Sequence, residues 1–107
     1  MSRDRLEVTL DDLRQMCEQA DRLVGLGRER FEADEWLQLA SEALVLRLAE
    51  AASRLPEEFR SAHPDVPWRA IVATRNLVAH QYHLVDHDIL WQGLANGLDE
   101  LRAAVTG

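Results

Sequence analysis

Apolar residues recur every three or four positions along most of the chain, and this spacing restricts the fold more than any other feature of the sequence. The first run places five such residues on one side of a helix: Leu10, Leu13, Cys17, Ala20 and Val24. Thr9, followed by Asp12 three residues later, has the spacing of a helix-capping pair. Gly25 and Gly27 follow the run and are typical of a helix end. The pattern predicts a first helix from about residue 9 to residue 24.

The same spacing predicts a second helix over residues 31–55. Its apolar stripe comprises Leu37, Leu44, Leu48, Ala51 and Leu55. Pro56 ends this helix, because proline cannot donate the next backbone hydrogen bond. The following stretch, PEEFRSAHPDVP, is predicted to be a connector that contains at most a short helix or turn.

Two more helices are predicted in the second half of the chain. The third begins at Pro67, which a first helical turn tolerates, with Asp65 close enough to cap it, and it extends to residue 82. The fourth follows Asp86 as its N-cap and extends to about residue 105. Its apolar stripe comprises Leu90, Leu94, Leu98, Leu101 and Val105. Four helices with short connectors indicate an all-α antiparallel bundle.

The length of 107 residues is enough for one hydrophobic core, so the chain is predicted to be a single domain spanning residues 1–107. Gly93 and Gly97 lie one helical turn apart, and we interpret them as a site of close packing against a neighbouring helix or subunit. The lone cysteine, Cys17, is predicted to be a core thiol in a reducing compartment. No stretch approaches the ~20 apolar residues of a membrane span, so we expect a cytoplasmic protein without a membrane partner.

The charge distribution is uneven. A net charge of −7 argues against a general nucleic-acid-binding surface, which normally relies on clustered lysine and arginine. However, residues 66–85 contain no carboxylate, and this stretch holds Arg69, Arg75, His80 and His83. An apolar helix with little room for acids explains this equally well. The alternative is a local site for an anion.

Arg75 and His80 are the candidate catalytic residues within this stretch. On one helix they lie about 140° apart, so both head groups reach one atom only if the arginine bends round or if two subunits share a cleft. A neutral histidine can transfer a proton to or from a ribose or leaving oxygen, and arginine can stabilise a charged phosphate without a metal. Asn76 can hold the imidazole or the phosphate, and Tyr82, on the Arg75 stripe, can stack on a base.

Each candidate also has a purely structural interpretation. His80 can be a hydrogen-bonded core histidine, and Tyr82 a packing aromatic residue. Glu50 is expected on a solvated face, although an acid near the histidines can orient one ring. His63 is expected to be an exposed loop residue.

A metal site is a weaker alternative, and we predict none. His83, His87 and Asp88 are the nearest candidates for ligands, but they straddle the helix break expected at Asp86.

The segment RLPEEFRSAHPDVPWRAIVATRNLVAHQYHLVDHDILW resembles the HepT family of HEPN-domain proteins. The shared motifs are Leu55-Pro56, His63-Pro64, Pro67-Trp68, Arg75-Asn76, His80 and Tyr82. The chain departs from the family at Ala49, where members usually carry glycine before the acid at Glu50. It also departs at Ala79 and Gln81, where members often have valine and then glycine or an acid.

The resemblance implies a HEPN-like helical dimer that acts as a metal-independent endoribonuclease, with Arg75 and His80 lining the cleft between subunits. It implies the toxin of a type VII toxin–antitoxin system, which needs no cofactor. Its expected partner is a minimal nucleotidyltransferase antitoxin, similar to MntA, that transfers AMP from ATP onto Tyr82.

Two other functions are compatible with the sequence. One is a non-catalytic HEPN-like module that binds a nucleotidyltransferase and presents nucleotide or substrate to it, and the net charge of −7 favours this alternative. The other is a dimeric scaffold whose polar stripe only fixes how the subunits align.

Overall fold

The computed structural model describes residues 2–106, with side chains from residue 5 onward, and this part is almost entirely helical. The elements are α1 (Ser2–Gly25), α2 (Arg28–Ala33), α3 (Glu35–Ser53), α4 (Glu57–Ala62), α5 (Trp68–His80), a 3-10 turn η1 (Tyr82–Leu84), α6 (His87–Asn96) and α7 (Asp99–Thr106). The prediction of an all-α fold is confirmed. Within residues 2–106, no helix is both long enough and apolar enough to cross a bilayer.

Helix α3 lies at the centre of the bundle, where it packs against α1, α5 and α6. Helix α1 also packs against α6 and α7. Arg14 in α1 donates from Nε to the carbonyl oxygen of Val105 in α7 at 2.7 Å. Arg28, which follows α1, pairs with Asp88 at the start of α6. The α6–α7 arm therefore runs antiparallel to α1, as the short connectors predict.

The core forms from the apolar stripes that the sequence shows, and most of the predicted positions are buried. They include Leu13, Leu48, Leu90, Leu101 and Val105. Phe31 is fully buried as well, with its ring 5.3 Å from that of Trp91. Burial of an aromatic side chain of this kind contributes about 1.5–3 kcal/mol. Cys17 is 2% exposed, which confirms the core thiol, and burial raises the pKa of this thiol above its ordinary value.

Outside α5, helix boundaries differ from the prediction at three places. Helix α1 begins at Ser2, and Thr9 lies inside it, where its Oγ1 donates to the carbonyl oxygen of Arg5 at 2.9 Å instead of capping a helix. The predicted second helix is divided at Asp34, whose side chain accepts from the Trp36 backbone N–H and caps α3. The fourth is divided between α6 and α7 near Gly97. The break at Asp34 arises because this side chain caps a new helix in the middle of the predicted apolar stripe.

The end of α5 is the boundary that matters most for function. Asp86 caps α6 as predicted, accepting from the Asp88 backbone N–H at 2.8 Å. The third helix, however, ends at His80 and not at residue 82, because Gln81 leaves helical geometry at φ −137° and ψ 43°. Tyr82 consequently belongs to η1. Its predicted place on the Arg75 stripe of the helix is wrong.

The connector between α3 and α5 is ordered by side chains bonded to its backbone. Pro67 is the N-cap of α5, and Asp65 makes no capping hydrogen bond there. The indole N–H of Trp68 is shared between the carbonyl oxygens of Arg60 and His63, at 3.2 and 3.1 Å. The His63 ring lies 4.3 Å from that of Phe59. His63 is therefore half-buried, and its expected exposure in a loop is wrong.

Gly93 and Gly97 border a cavity of about 140 Å³ between α3, α5 and α6. Its other lining residues are Val45, Leu48, Pro67, Ala70, Ile71, Thr74, Leu94 and Leu98. A Cβ atom at Gly93 would meet nothing within 4 Å, so no helix of the described chain packs closely against this position. A Cβ atom at Gly97 would lie 2.8 Å from the Gly93 carbonyl oxygen. The pair thus serves a tight backbone turn at Gly97 rather than close packing of two helices within the chain.

We predict that Gly97→Ala destabilises the fold by about 1–3 kcal/mol, because the added methyl group meets a backbone oxygen that cannot move away cheaply. Gly93→Ala is the matched control. It enters open space within a helix and should be neutral or stabilising by up to about 1 kcal/mol. Urea unfolding of both variants measures the difference, and equal stabilities would contradict the steric assignment.

Candidate active site

The packing of α3 against α5 places Glu50 opposite Arg75. The Glu50 carboxylate accepts two hydrogen bonds on Oε1, from Arg75 Nε at 3.1 Å and from Arg75 Nη2 at 2.6 Å. The two residues lie 25 positions apart, so nothing in the local sequence pattern indicates their contact. Glu50 thus binds the candidate arginine and not a histidine ring.

A third contact fixes the arginine from its own helix. Arg75 Nη1 donates to Asn76 Oδ1 at 3.2 Å. A guanidinium group carries five N–H donors, and the contacts with Glu50 and Asn76 use three of them. One hydrogen on each terminal nitrogen is left over, and these two donors are available to phosphate oxygens.

The Glu50–Arg75 pair is accessible to solvent, with side chains 52% and 34% exposed. An ion pair of this kind contributes only about 0.2–1 kcal/mol to stability, because water and salt screen it. Its main effect is to hold the guanidinium in one orientation at the surface.

His80 is the last residue of α5, and its side chain is exposed. No protein hydrogen bond to its ring occurs among the residues that the structure describes. His80 lies one turn beyond Asn76, so these two side chains share a stripe of the helix. No hydrogen bond joins Arg75 to His80 among the described residues. Asn76 binds Arg75 and precedes His80 by one helical turn.

Tyr82 lies just past the end of α5 and is 71% exposed. Its ring meets the His83 ring edge to face, with centroids 6.0 Å apart. The packing alternative for Tyr82 is therefore wrong, since a packing aromatic residue would be buried. The hydroxyl group stands at the surface close to the end of the helix that carries His80.

The metal-ligand candidates beyond η1, His87 and Asp88, have structural neighbours. The His87 ring packs edge-on against Phe31, with centroids 6.2 Å apart. Asp88 pairs with Arg28. In the described part of the chain, no three side chains of histidine, cysteine, aspartate or glutamate come together in a way that could hold a metal ion.

The outer face of α5 has no partner within the described chain. Its exposed residues include Arg69, Val72, Ala73, Asn76 and His80. Val72 is 48% exposed, and Leu84 beyond the helix is 60% exposed. This face combines apolar surface with the asparagine and histidine of the candidate site, and it lies within the stretch that lacks carboxylates.

The fold is an all-α bundle in which α5 carries arginine, asparagine and histidine within its last two turns. The profile of the Ribonuclease HepT-like family matches residues 13–106. The chain belongs to this family, and membership supports a ribonuclease function.

Individual relatives agree with this assignment. A candidate RNase of Caldanaerobacter subterraneus subsp. tengcongensis is 33% identical over 97 residues, which cover 90% of this chain and 87% of the relative. A candidate ribonuclease HepT of Thermococcus cleftensis is 30% identical over 74 residues, covering 69% of this chain and 67% of the relative. No solved structure is significantly similar to the chain.

We predict that the Glu50–Arg75 pair contributes little to stability. A double-mutant cycle of Glu50→Gln and Arg75→Gln, read by urea unfolding, should give a coupling energy below about 1 kcal/mol. The Asp21–Arg102 pair, with an equal contact of 2.6 Å and similar exposures of 58% and 34%, is the matched control. A coupling of about 3 kcal/mol or more at Glu50–Arg75 alone would instead indicate a structural ion pair.

Proposed function

We propose that this protein is a metal-independent endoribonuclease in which Arg75 binds the scissile phosphate and His80 transfers protons. The observation that carries the proposal is the Arg75 guanidinium, held by Glu50 and Asn76 with one hydrogen free on each terminal nitrogen. The exposed imidazole of His80 on the same helix supplies the acid–base group. Family membership supports a ribonuclease function, since the family model is described as Ribonuclease HepT-like.

The reaction requires two proton transfers. A neutral imidazole removes the proton of the ribose 2′-hydroxyl, and the 2′-oxygen attacks the adjacent phosphorus. The bond to the 5′-oxygen breaks, and an imidazolium protonates this leaving oxygen. The products are a 2′,3′-cyclic phosphate and a 5′-hydroxyl. Arg75 stabilises the negative charge that accumulates on the nonbridging oxygens.

A dimer completes this proposed site. One chain provides a single His80, held about 140° from Arg75 around α5. Two α5 helices that face each other across a two-fold axis would bring two histidines and two arginines into one cleft. The unpartnered outer face of α5, with Val72 48% exposed, supports this arrangement. One histidine then acts as the base and the other as the acid.

We predict that His80→Ala and Arg75→Ala each reduce RNA cleavage by about 100-fold or more, with folding intact because both side chains lie at the surface. Cleavage of total RNA in the presence of EDTA measures the effect. His83→Ala is the control, because His83 is another exposed histidine three residues further on, and this variant should remain active.

Full activity of His80→Ala in EDTA would contradict the catalytic assignment. If the wild-type protein cleaves no RNA but binds a nucleotidyltransferase, the non-catalytic module becomes the better function.

We predict a dimer at micromolar concentration whose formation depends on the outer face of α5. Val72→Glu should weaken it, because two like charges would meet near the two-fold axis and an apolar contact would be lost. Sedimentation velocity measures the assembly. Leu39→Glu, which also replaces an exposed apolar residue but on α3, is the control and should remain dimeric. A stable, active wild-type monomer would overturn the shared cleft.

We further propose that the protein is the toxin of a type VII toxin–antitoxin pair and that a minimal nucleotidyltransferase silences it by attaching AMP to Tyr82. The 71% exposure of Tyr82 supports this, since an acceptor hydroxyl must enter the active site of another enzyme. The tyrosine oxygen attacks the α-phosphorus of ATP, and pyrophosphate leaves. The new phosphodiester adds a negative charge near Arg75 and His80 and occupies space that RNA would need.

Tyr82→Phe is expected to keep RNA cleavage and to escape silencing, because it retains the ring and removes only the acceptor oxygen. Intact-mass spectrometry after co-expression with an active nucleotidyltransferase should show one or more AMP additions in the wild type and none in Tyr82→Phe. Additions of the same mass in both proteins would place the modification on another residue.

A further inference from the structure

A shallow polar notch lies between α4 and the start of α5, apart from the candidate active site. It is lined by Glu57, Arg60, Ser61 and Trp68. The first three residues occupy one short helix, and Trp68 forms the opposite wall. The indole N–H of Trp68 is bound to the carbonyl oxygens of Arg60 and His63, so the ring is held in place across the notch. The notch thus combines an ordered aromatic ring with a carboxylate, a guanidinium and a hydroxyl group.

The charged groups of this notch are not paired with each other. Glu57 and Arg60 lie three residues apart on one helix, yet no ion pair joins them among the residues that the structure describes. The Nε atom of Arg60 is buried and lacks a hydrogen-bond partner in the same part of the chain. The terminal nitrogens of Arg60 also make no hydrogen bond in the described chain, and they are not shut off from solvent. A ligand in the notch can therefore supply acceptors to these terminal nitrogens.

The four side chains match the chemistry of one nucleobase. The hydrogen-bonding edge of guanine offers a carbonyl oxygen beside two N–H donor groups. Arginine donates to the carbonyl oxygen, and a carboxylate accepts from the N–H groups. Unpaired RNA bases also stack on aromatic rings such as that of Trp68. Adenine presents an amino group where guanine has its carbonyl oxygen, so it would face the guanidinium with a donor.

The notch lies along the same edge of α5 as the candidate active site. Trp68 and Arg75 are seven residues apart, which places them within about 20° of each other around the helix and about 10 Å apart along it. This distance corresponds to roughly three stacked nucleotides at a rise of about 3.4 Å each. A single-stranded RNA that binds Arg75 through a phosphate can therefore reach the notch with a nearby base.

We propose that Glu57, Arg60, Ser61 and Trp68 form a subsite for an unpaired guanine of the RNA substrate, a few nucleotides from the scissile phosphate. The proposal rests on the ribonuclease function proposed above and adds a sequence preference to it. Arg60 donates to the guanine carbonyl oxygen, Glu57 accepts from the base N–H groups, and Trp68 stacks on the ring.

Binding of short RNAs tests the subsite without requiring cleavage. The His80→Ala protein is titrated with fluorescent UUGUU and UUAUU, and anisotropy reports the affinity. We expect the guanine pentamer to bind about tenfold more tightly. Glu57→Gln in the same background should abolish most of this preference. Glu58→Gln is the matched control, since it removes the same charge from the same turn of α4 but does not line the notch, and it should keep the preference.

Sequencing of cleavage products from a randomised RNA pool gives the second measurement. We expect guanine to be enriched at one fixed position near the cut in the wild type and in Glu58→Gln, but not in Glu57→Gln. Equal affinities for the two pentamers, or a preference that survives Glu57→Gln, would overturn the subsite. Cleavage without guanine enrichment would also overturn it and leave the ribonuclease function intact. Guanine-selective binding without any cleavage would support the subsite and contradict the ribonuclease function.

Discussion

The packing of α3 against α5 is the contact on which the candidate active site depends. Helix α3 is buried among α1, α5 and α6, and small residues such as Ala49, Ala51 and Ala52 let its neighbours approach closely. This packing fixes the position of Glu50, and Glu50 in turn orients Arg75. The hydrophobic core forms by burial of apolar side chains, which has no preferred direction. Its packing nevertheless holds Glu50 and Arg75 where their directional hydrogen bonds can form at the surface.

The net charge of −7 and an RNA-binding function are compatible because electrostatic interactions are local. At physiological ionic strength, charges more than about 8 Å apart at the surface are largely screened from each other. Residues 66–85 lack carboxylates, and Glu50, which reaches this stretch from α3, is paired with Arg75. A phosphate at Arg75 therefore meets few uncompensated negative charges, whereas the acids that give the net charge of −7 lie in the rest of the sequence. Such a distribution favours binding at one place over general adhesion along RNA.

The end of α5 at His80 separates two residues for which different roles are proposed, His80 and Tyr82. His80 stays on the helix next to Asn76, while Tyr82 leaves it and becomes exposed. A tyrosine within the helix would have its orientation fixed by the helix axis. In the 3-10 turn, it stands free of the bundle, where another enzyme can reach its hydroxyl group without unfolding α5.

The sequence by itself determined the all-α class, the buried stripes, the cap at Asp86 and the identity of Arg75 and His80 as candidates, because periodicity, capping and residue chemistry are local properties. It did not predict the end of α5, since Gln81 is neither glycine nor proline and carries no stop signal. The Glu50–Arg75 contact and the notch at Trp68 were decided by the tertiary structure alone. These groups come from separate helices, and only the packing of those helices determines which side chains meet.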